Sequence, residues 1–241
     1  MKSSTLSQPA RGMIAHYESL RFGSVHVSVP YFNNKRQQVR GALRVLVGKG
    51  APAEIEEEAQ LIALRCHTDL ATLSAENLKK FLVDNNLGID CSGFVYHVLN
   101  AEAPLAPRLT FPNVSLLRKL LTKLRPIENT NVKVFAHKKN STTVPLSDVQ
   151  AGDIITMVGS KKVGNPDHIL LVEEVNRNAI SYVHAYKFAS DGTYNHGIKH
   201  GTIEMTDSSK PITEQVWDSE DVRQAVVEAS EVCIKRISFS T

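Results

Sequence analysis

The segment Gly88-Ile-Asp-Cys-Ser-Gly-Phe-Val-Tyr-His-Val-Leu99 constrains this chain more than any other stretch. It reads as the start of a helix with a thiol in its first turn. Asp90 is a good N-cap, because its carboxylate can accept the free backbone N–H of Ser92 or Gly93. Phe94, Val95 and Val98 then follow at helical spacing and give the new helix an apolar face. Cys91 would occupy the first helical position, where unpaired N–H groups and the helix dipole favour a thiolate. Gly93 is unfavourable inside a helix, and its place is expected to let a substrate backbone pass close to the sulfur. A cysteine so placed is either a buried structural thiol or a nucleophile, and the downstream sequence separates the two.

The chain has 241 residues, 42% of them apolar and 22% charged, which suits one large globular domain or two small ones. A net charge of +3 is too small to argue for a nucleic-acid partner. The nearest basic cluster, Arg118, Lys119, Lys123 and Arg125, reads as a solvated helix face. Cys66, Cys91 and Cys233 are widely spaced and odd in number, which argues against a disulfide framework and fits a reducing compartment. The start of the chain lacks the apolar core of a signal peptide, and no stretch approaches the roughly 20 apolar residues of a membrane span. The expectation is a cytoplasmic protein with no membrane span.

Residues 1–10 are expected to be disordered. Met13, Ile14, Tyr17 and Leu20 recur at helical spacing, and Val25, Val27 and Val29 alternate like a strand. Residues 37–47 fit both periods in part. Pro52 with Glu54, Glu56, Glu57 and Glu58 predicts a helix start, running to about Cys66. Ser74 is expected to cap a helix from Ala75 to about Asn85. Val114, Leu117, Leu120, Leu121 and Leu124 mark another, closed by Pro126. From residue 132 the pattern turns to strands, expected at Val132 and Val134, Ile154 to Val158, His168 to Val175, Ile180 to Tyr186, Gly201 to Met205 and Val232 to Phe239. One helix, Ser219 to Ala229, interrupts them. Helices followed by antiparallel strands predict an α+β fold. The expected organisation is a single domain over 11–241, with a helical N-terminal extension (11–85) packed against a core (86–241) built on an antiparallel β-sheet.

A thiol nucleophile needs a base, and the base needs something to orient it. Of nine histidines, His16, His26, His137, His196 and His200 stand in polar or mixed surroundings and are expected to be exposed. His97 falls well round the helix from the sulfur, and His67 has no acid in register. His168 and His184 differ, because both lie in apolar strand runs. If those runs form a hairpin about Asn176-Arg177-Asn178 with an odd-residue turn, paired positions sum to an even number. Both imidazoles then share one face of the sheet, and the second can fix the tautomer of the first. An even-residue turn would put them on opposite faces. No histidine or cysteine has the fixed spacing of a zinc site, and neither a metal nor a cofactor is expected.

Taken together, Gly88-Ile-Asp-Cys-Ser-Gly-Phe-Val95, Ala151-Gly-Asp-Ile-Ile155, Asp167-His-Ile-Leu-Leu-Val172 and Tyr182-Val-His-Ala185 resemble the NlpC-type cell-wall peptidases, papain-like cysteine hydrolases of bacteria. The resemblance covers about residues 80–190. It implies a papain-like α+β fold with Cys91 as nucleophile, His168 as base and His184 as orienter. The oxyanion is expected at the Asp90–Ser92 helix start, on the Cys91 backbone N–H together with Ser92 or another side chain. It also implies a peptide substrate, a peptidoglycan stem peptide or a fragment of one, cut next to a D-amino acid through a thioester on Cys91. The run after His168 is Ile-Leu-Leu where the family usually has glycines. A tyrosine often lines the family's site from upstream, but neither Tyr31 nor Tyr96 stands in a matching motif. The same three residues would equally serve an acyltransferase passing the acyl group to an amine or lipid. A catalytically silent binding module of the same fold is the third reading.

Overall fold

In a computed structural model the structure describes residues 3–33, 44–105, 109–111, 122, 124–160 and 167–238. The chain opens with a two-residue strand, β1 (Ser4–Thr5), and the helix α1 (Gln8–Glu18). The disorder expected over 1–10 is therefore corrected for residues 3–10. Ser7 caps α1 by accepting the Ala10 N–H, and Pro9 suits the first turn. A short hairpin, β2 (Leu20–Phe22) and β3 (Val25–Val27), leads to the helices α2 (Pro52–Arg65), α3 (Ala75–Asp84) and α4 (Cys91–Glu102). Ser74 caps α3 as its spacing predicts. Residues Val132–Ala136, expected as a strand, form the short helix α5, because Asn131 caps it by accepting the Val134 N–H. The helix expected over 114–124, with its basic cluster short of Arg125, falls almost entirely outside the described residues, as do residues 37–43.

The second half supplies β4 (Ser141–Thr143), β5 (Ile154–Ser160), β6 (His168–Val175), β7 (Ala179–Tyr186), β8 (Gly197–Glu204), β9 (Val216–Trp217), α6 (Glu220–Glu228) and β10 (Ala229–Ile237). The fold is α+β: one antiparallel sheet in the order β4-β10-β5-β6-β7-β8-β9, with β1 paired to the far end of β6. Among the described residues no helix is long and apolar enough to cross a membrane.

The centre of the sheet is covered on both faces. Ile169 and Leu171 of β6 join one apolar cluster with Phe94, Val95 and Val98 of α4 and with Leu6, Ile14, Tyr17, Ile55 and Leu78 from the N-terminal region. Leu170 and Val172 join the other, with Tyr182, Trp217, Val222 and Val226. This explains why the run after His168 is Ile-Leu-Leu: a strand buried on both faces is an unbroken apolar run, with no room left unfilled for glycine to serve. The N-terminal region is thus part of the main core.

The Ala151-Gly-Asp153 motif is a structural corner. Gly152 takes a positive φ of 88°, a conformation that favours glycine. Asp153 is buried and bound by Arg236 through two hydrogen bonds of 2.8 Å each, which ties the start of β5 to β10.

Candidate active site

Three separate segments hold Cys91 in place. Residues 88–90 run between Pro30–Phe32 on one side and Gly48–Lys49 on the other: Ile89 N–H donates to Pro30 O (3.0 Å), Phe32 N–H to Ile89 O (3.1 Å) and Asp90 N–H to Gly48 O (2.9 Å). A Cβ on Gly88 would stand 2.5 Å from Pro30 O, so the close passage requires glycine here. Asp90 then caps α4, its Oδ1 accepting the Gly93 N–H at 2.6 Å. Cys91 is the first helical residue, as its sequence predicts, and only 5% exposed. Gly93 has a different reason from the one expected. A Cβ there would meet Gly48 O and Ile89 Cδ1 at 2.9 Å and Lys49 Cδ at 3.0 Å, so it admits the protein's own chain, not a substrate.

The sulfur lies where two strands part. The β6–β7 ladder ends at Leu171 opposite Val183, although β6 begins at His168 and β7 continues to Tyr186. Val172 directs its N–H and C=O at Asp153 and Gly152 on the β5 side. By alternation Leu171 and Ile169 direct theirs toward β7. With the ladder ended, the Ile169 N–H hydrogen-bonds to the Cys91 sulfur instead, as does the Ser92 N–H. The thiol thus reaches β6 one residue from His168.

His168 and His184 close the same gap from the other side. Their Nε2 and Nδ1 atoms are 2.9 Å apart, and both rings are buried. The face they share arises by a route the strand arithmetic omits. Next to the turn the paired positions sum to an odd number, Val175 with Ile180 and Glu174 with Ser181. That parity alone would put the imidazoles on opposite faces. A β-bulge between Val172 and Glu174 inserts Glu173 and restores an even sum, with Leu171 opposite Val183. The Glu173 carbonyl accepts the Leu6 N–H (3.1 Å), so the N-terminal segment fastens the bulge.

His168 Nδ1 is, among the described residues, the buried side-chain nitrogen or oxygen with no hydrogen-bond partner. The thiol is therefore bound one residue along β6 from His168, and the His168 Nδ1 carries no hydrogen bond from it. Burial pushes the Cys91 thiol up to about 12, Asp90 adding to it and Lys49 opposing it. Burial also pushes His168 down to about 3 and His184 well below its usual value. The resting pair is thiol and neutral imidazole, the reverse of the thiolate expected from the helix terminus, because desolvation outweighs the dipole.

Two neighbours were not evident in the sequence. Tyr31 is placed by its bridge to Ile89, and its hydroxyl is held protonated by burial and by the proximity of Cys91. Its ring packs on Tyr186 at 5.4 Å, and Tyr186 packs on His168 at 4.3 Å, forming an aromatic wall beside the histidines. His196, expected to be exposed, is buried, with Nδ1 accepting the Tyr31 N–H at 3.0 Å. The Ser92 hydroxyl points away from any oxyanion role: it lies 2.7 Å from Lys49 Nζ and 3.0 Å from Asp90 Oδ1. His97 is turned to the backbone, its Nε2 donating to Lys49 O at 3.0 Å.

No family model, no curated protein and no solved structure matches this chain.

These buried histidines set a pH dependence of stability. His168 and His184 have folded values lowered from 6.5, so the unfolded chain binds more protons below that pH. The stability they confer is present above about pH 6.5 and is lost as pH falls, by up to about 1.4 kcal/mol per pH unit for each. His200 acts in the opposite sense. Hydrogen-bonded by Glu173 and Glu18, it is raised to about 9, so its smaller, partly solvent-screened contribution is present below about 6.5 and lost as pH rises through about 9. Thermal midpoints measured across this range should peak between the two and fall more steeply on the acid side. A midpoint that stays flat below about pH 6 contradicts burial of the neutral pair.

Proposed function

We propose that this protein is a cysteine hydrolase of papain-like architecture that cleaves peptide bonds, with peptidoglycan stem peptides as the substrate class. One observation carries the reading. A helix-terminal cysteine abuts the strand of a buried histidine whose Nε2 is held by a second histidine and whose Nδ1 is left without a partner.

The tautomers follow from the roles. To take a proton at Nδ1, His168 must carry its own hydrogen on Nε2 and donate it to His184 Nδ1, which places the hydrogen of His184 on Nε2. Cys91 Sγ attacks the scissile carbonyl carbon as its proton moves to His168 Nδ1. The Cys91 backbone N–H, at the open end of α4, stabilises the oxyanion. The tetrahedral species collapses with cleavage of the C–N bond, and His168 returns the proton to the departing amine. Water then adds to the thioester, giving a proton to His168. The C–S bond breaks, and the thiol recovers that proton. Because the resting pair is neutral, proton transfer accompanies attack and is not completed before it. The stem-peptide substrate class rests on the motif resemblance; the aromatic wall of Tyr31 and Tyr186 suits an extended peptide lying across the gap.

The test is incubation of wild-type protein with stem peptides containing D-residues, followed by mass spectrometry of both products and protein. Released fragments, with an acyl adduct on Cys91 that is absent from Cys91→Ser, are expected. Equal cleavage by Cys91→Ser would overturn the reading, as would a wild-type protein that releases nothing and forms no adduct.

A further inference from the structure

The proposed chemistry leaves the buried ammonium of Lys49 unused. Lys49 is 5% exposed, and its ammonium is satisfied on all three donors: Asp90 Oδ1 at 2.7 Å, Ser92 Oγ at 2.7 Å and the Thr130 carbonyl at 2.9 Å. Its backbone is fixed as well, since Lys49 bridges Ile89 and its carbonyl accepts from His97 Nε2 at 3.0 Å. Lysine is almost never buried to this degree unless it is paired, and here the pair lies directly beneath the nucleophile's turn.

The reason for the pair lies in the choice of cap. An aspartate caps a helix strongly, but it sets a full negative charge one residue before a sulfur that must itself become negative. Like charges at such range oppose one another. An asparagine or serine cap would avoid the conflict at similar helix stability. In this chain the conflict is met by the ammonium of Lys49, which binds the same carboxylate oxygen that accepts the Gly93 N–H. We propose that Lys49 is a positioning residue for Cys91: it locks the Asp90–Gly93 turn and offsets the Asp90 carboxylate, so that a thiolate forming during attack meets a neutral ion pair. The proposal rests on the reading of Cys91 as the nucleophile.

The other groups facing Cys91 do not supply this charge. Tyr31 comes from the segment bridged to Ile89, and burial keeps its phenol neutral. His168 comes from β6, and burial keeps it neutral near pH 7. Among the described residues, Asp90 and Lys49 are left as the charges that act on the sulfur, with opposite effects on it.

Opposite effects give a test by sign. The rate of iodoacetamide alkylation at Cys91 is measured by mass spectrometry on the intact native protein, with exposed Cys66 as internal reference. Lys49→Met is expected to slow Cys91 alkylation by about tenfold, and Asp90→Asn to speed it by about tenfold, corresponding to about one pKa unit each. The double variant should return to within a few-fold of wild type, and Lys49→Arg should keep most of the wild-type rate. A purely structural role would loosen the turn in both single variants and move both rates the same way. Rates that move together, or a Lys49→Met rate equal to wild type, overturn the proposal. Should Lys49→Met fail to fold, Asp90→Asn still decides, because no acceleration there overturns it equally. Stem-peptide cleavage is followed in parallel. Its absence alongside the opposite-sign pattern removes the peptidase reading and leaves the role of Lys49 standing.

Discussion

Replacing His168 with alanine is expected to lower kcat/KM for stem-peptide cleavage by roughly a thousandfold or more, with KM little changed. The expectation follows from the resting state. Burial holds the Cys91 thiol protonated at about 12, so sulfur cannot attack at neutral pH without a base to take its proton as the bond forms. His168 offers a free Nδ1 for that purpose. The neighbouring Tyr31 is a poor base, because burial holds its phenol protonated. His184→Phe should show a smaller loss, because phenylalanine preserves packing against Tyr182 and Phe188 but cannot accept from His168 Nε2. Steady-state kinetics on the three proteins checks the order: wild type, then His184→Phe, then His168→Ala. An alanine variant within tenfold of wild type would remove His168 from the chemistry.

Deletion of Leu170 is expected to abolish activity about as completely as loss of His168, while deletion of Glu173, further along the same strand, is expected to spare it. Neither residue takes part in the proposed mechanism. A one-residue slip sends every side chain of a strand to the opposite face. Glu173 is the extra residue of the bulge, so without it the ladder closes with Val172 still opposite Tyr182 and Leu171 still opposite Val183, and His168 keeps the face of His184. Without Leu170 those pairs stay, and His168 moves one place along β6 to the other face. Polarity does little to oppose that slip, since Ile169, Leu171 and Val172 are apolar on both faces. The His168–His184 hydrogen bond should therefore disappear in the Leu170 deletion and persist in the Glu173 deletion. Circular dichroism checks that both variants fold, and imidazole nitrogen chemical shifts report the hydrogen bond. A Glu173 deletion that loses the hydrogen bond, or a Leu170 deletion with full activity, would show that strand register does not set the histidine pair.

Much of this arrangement was legible from residue types and spacing. The Asp90 cap, the place of Cys91 at the head of α4, the Ser74 cap and the apolar strands carrying His168 and His184 follow from local rules that need no tertiary contact. The His168–His184 pairing was legible only conditionally. Its parity depended on a bulge, and a bulge leaves no mark in an apolar run. Val132 and Val134 look like strand residues because β-branched side chains favour strands, yet the capping hydrogen bond of Asn131 decides for a helical turn. Tyr31, Lys49 and the role of Gly93 were illegible for one shared reason. All three depend on residues 30–32 and 48–50 flanking residues 88–90, an arrangement between segments far apart in sequence.

The pairing of Ser4 and Thr5 with Val175 and Glu174 has a consequence for the order in which the chain is made. Ser4 and Thr5 have their sheet partner in a strand synthesised much later, beyond the helices and the first strands of the sheet. Until that strand emerges, Leu6, Ala10 and Ile14, all destined for the core, have no β6 to lie against. Non-local pairing of this kind is slow and leaves apolar surface uncovered in the meantime. The β1 segment is thus made well before the strand it pairs with, and the bulge that aligns the two histidines is fastened only as that segment docks.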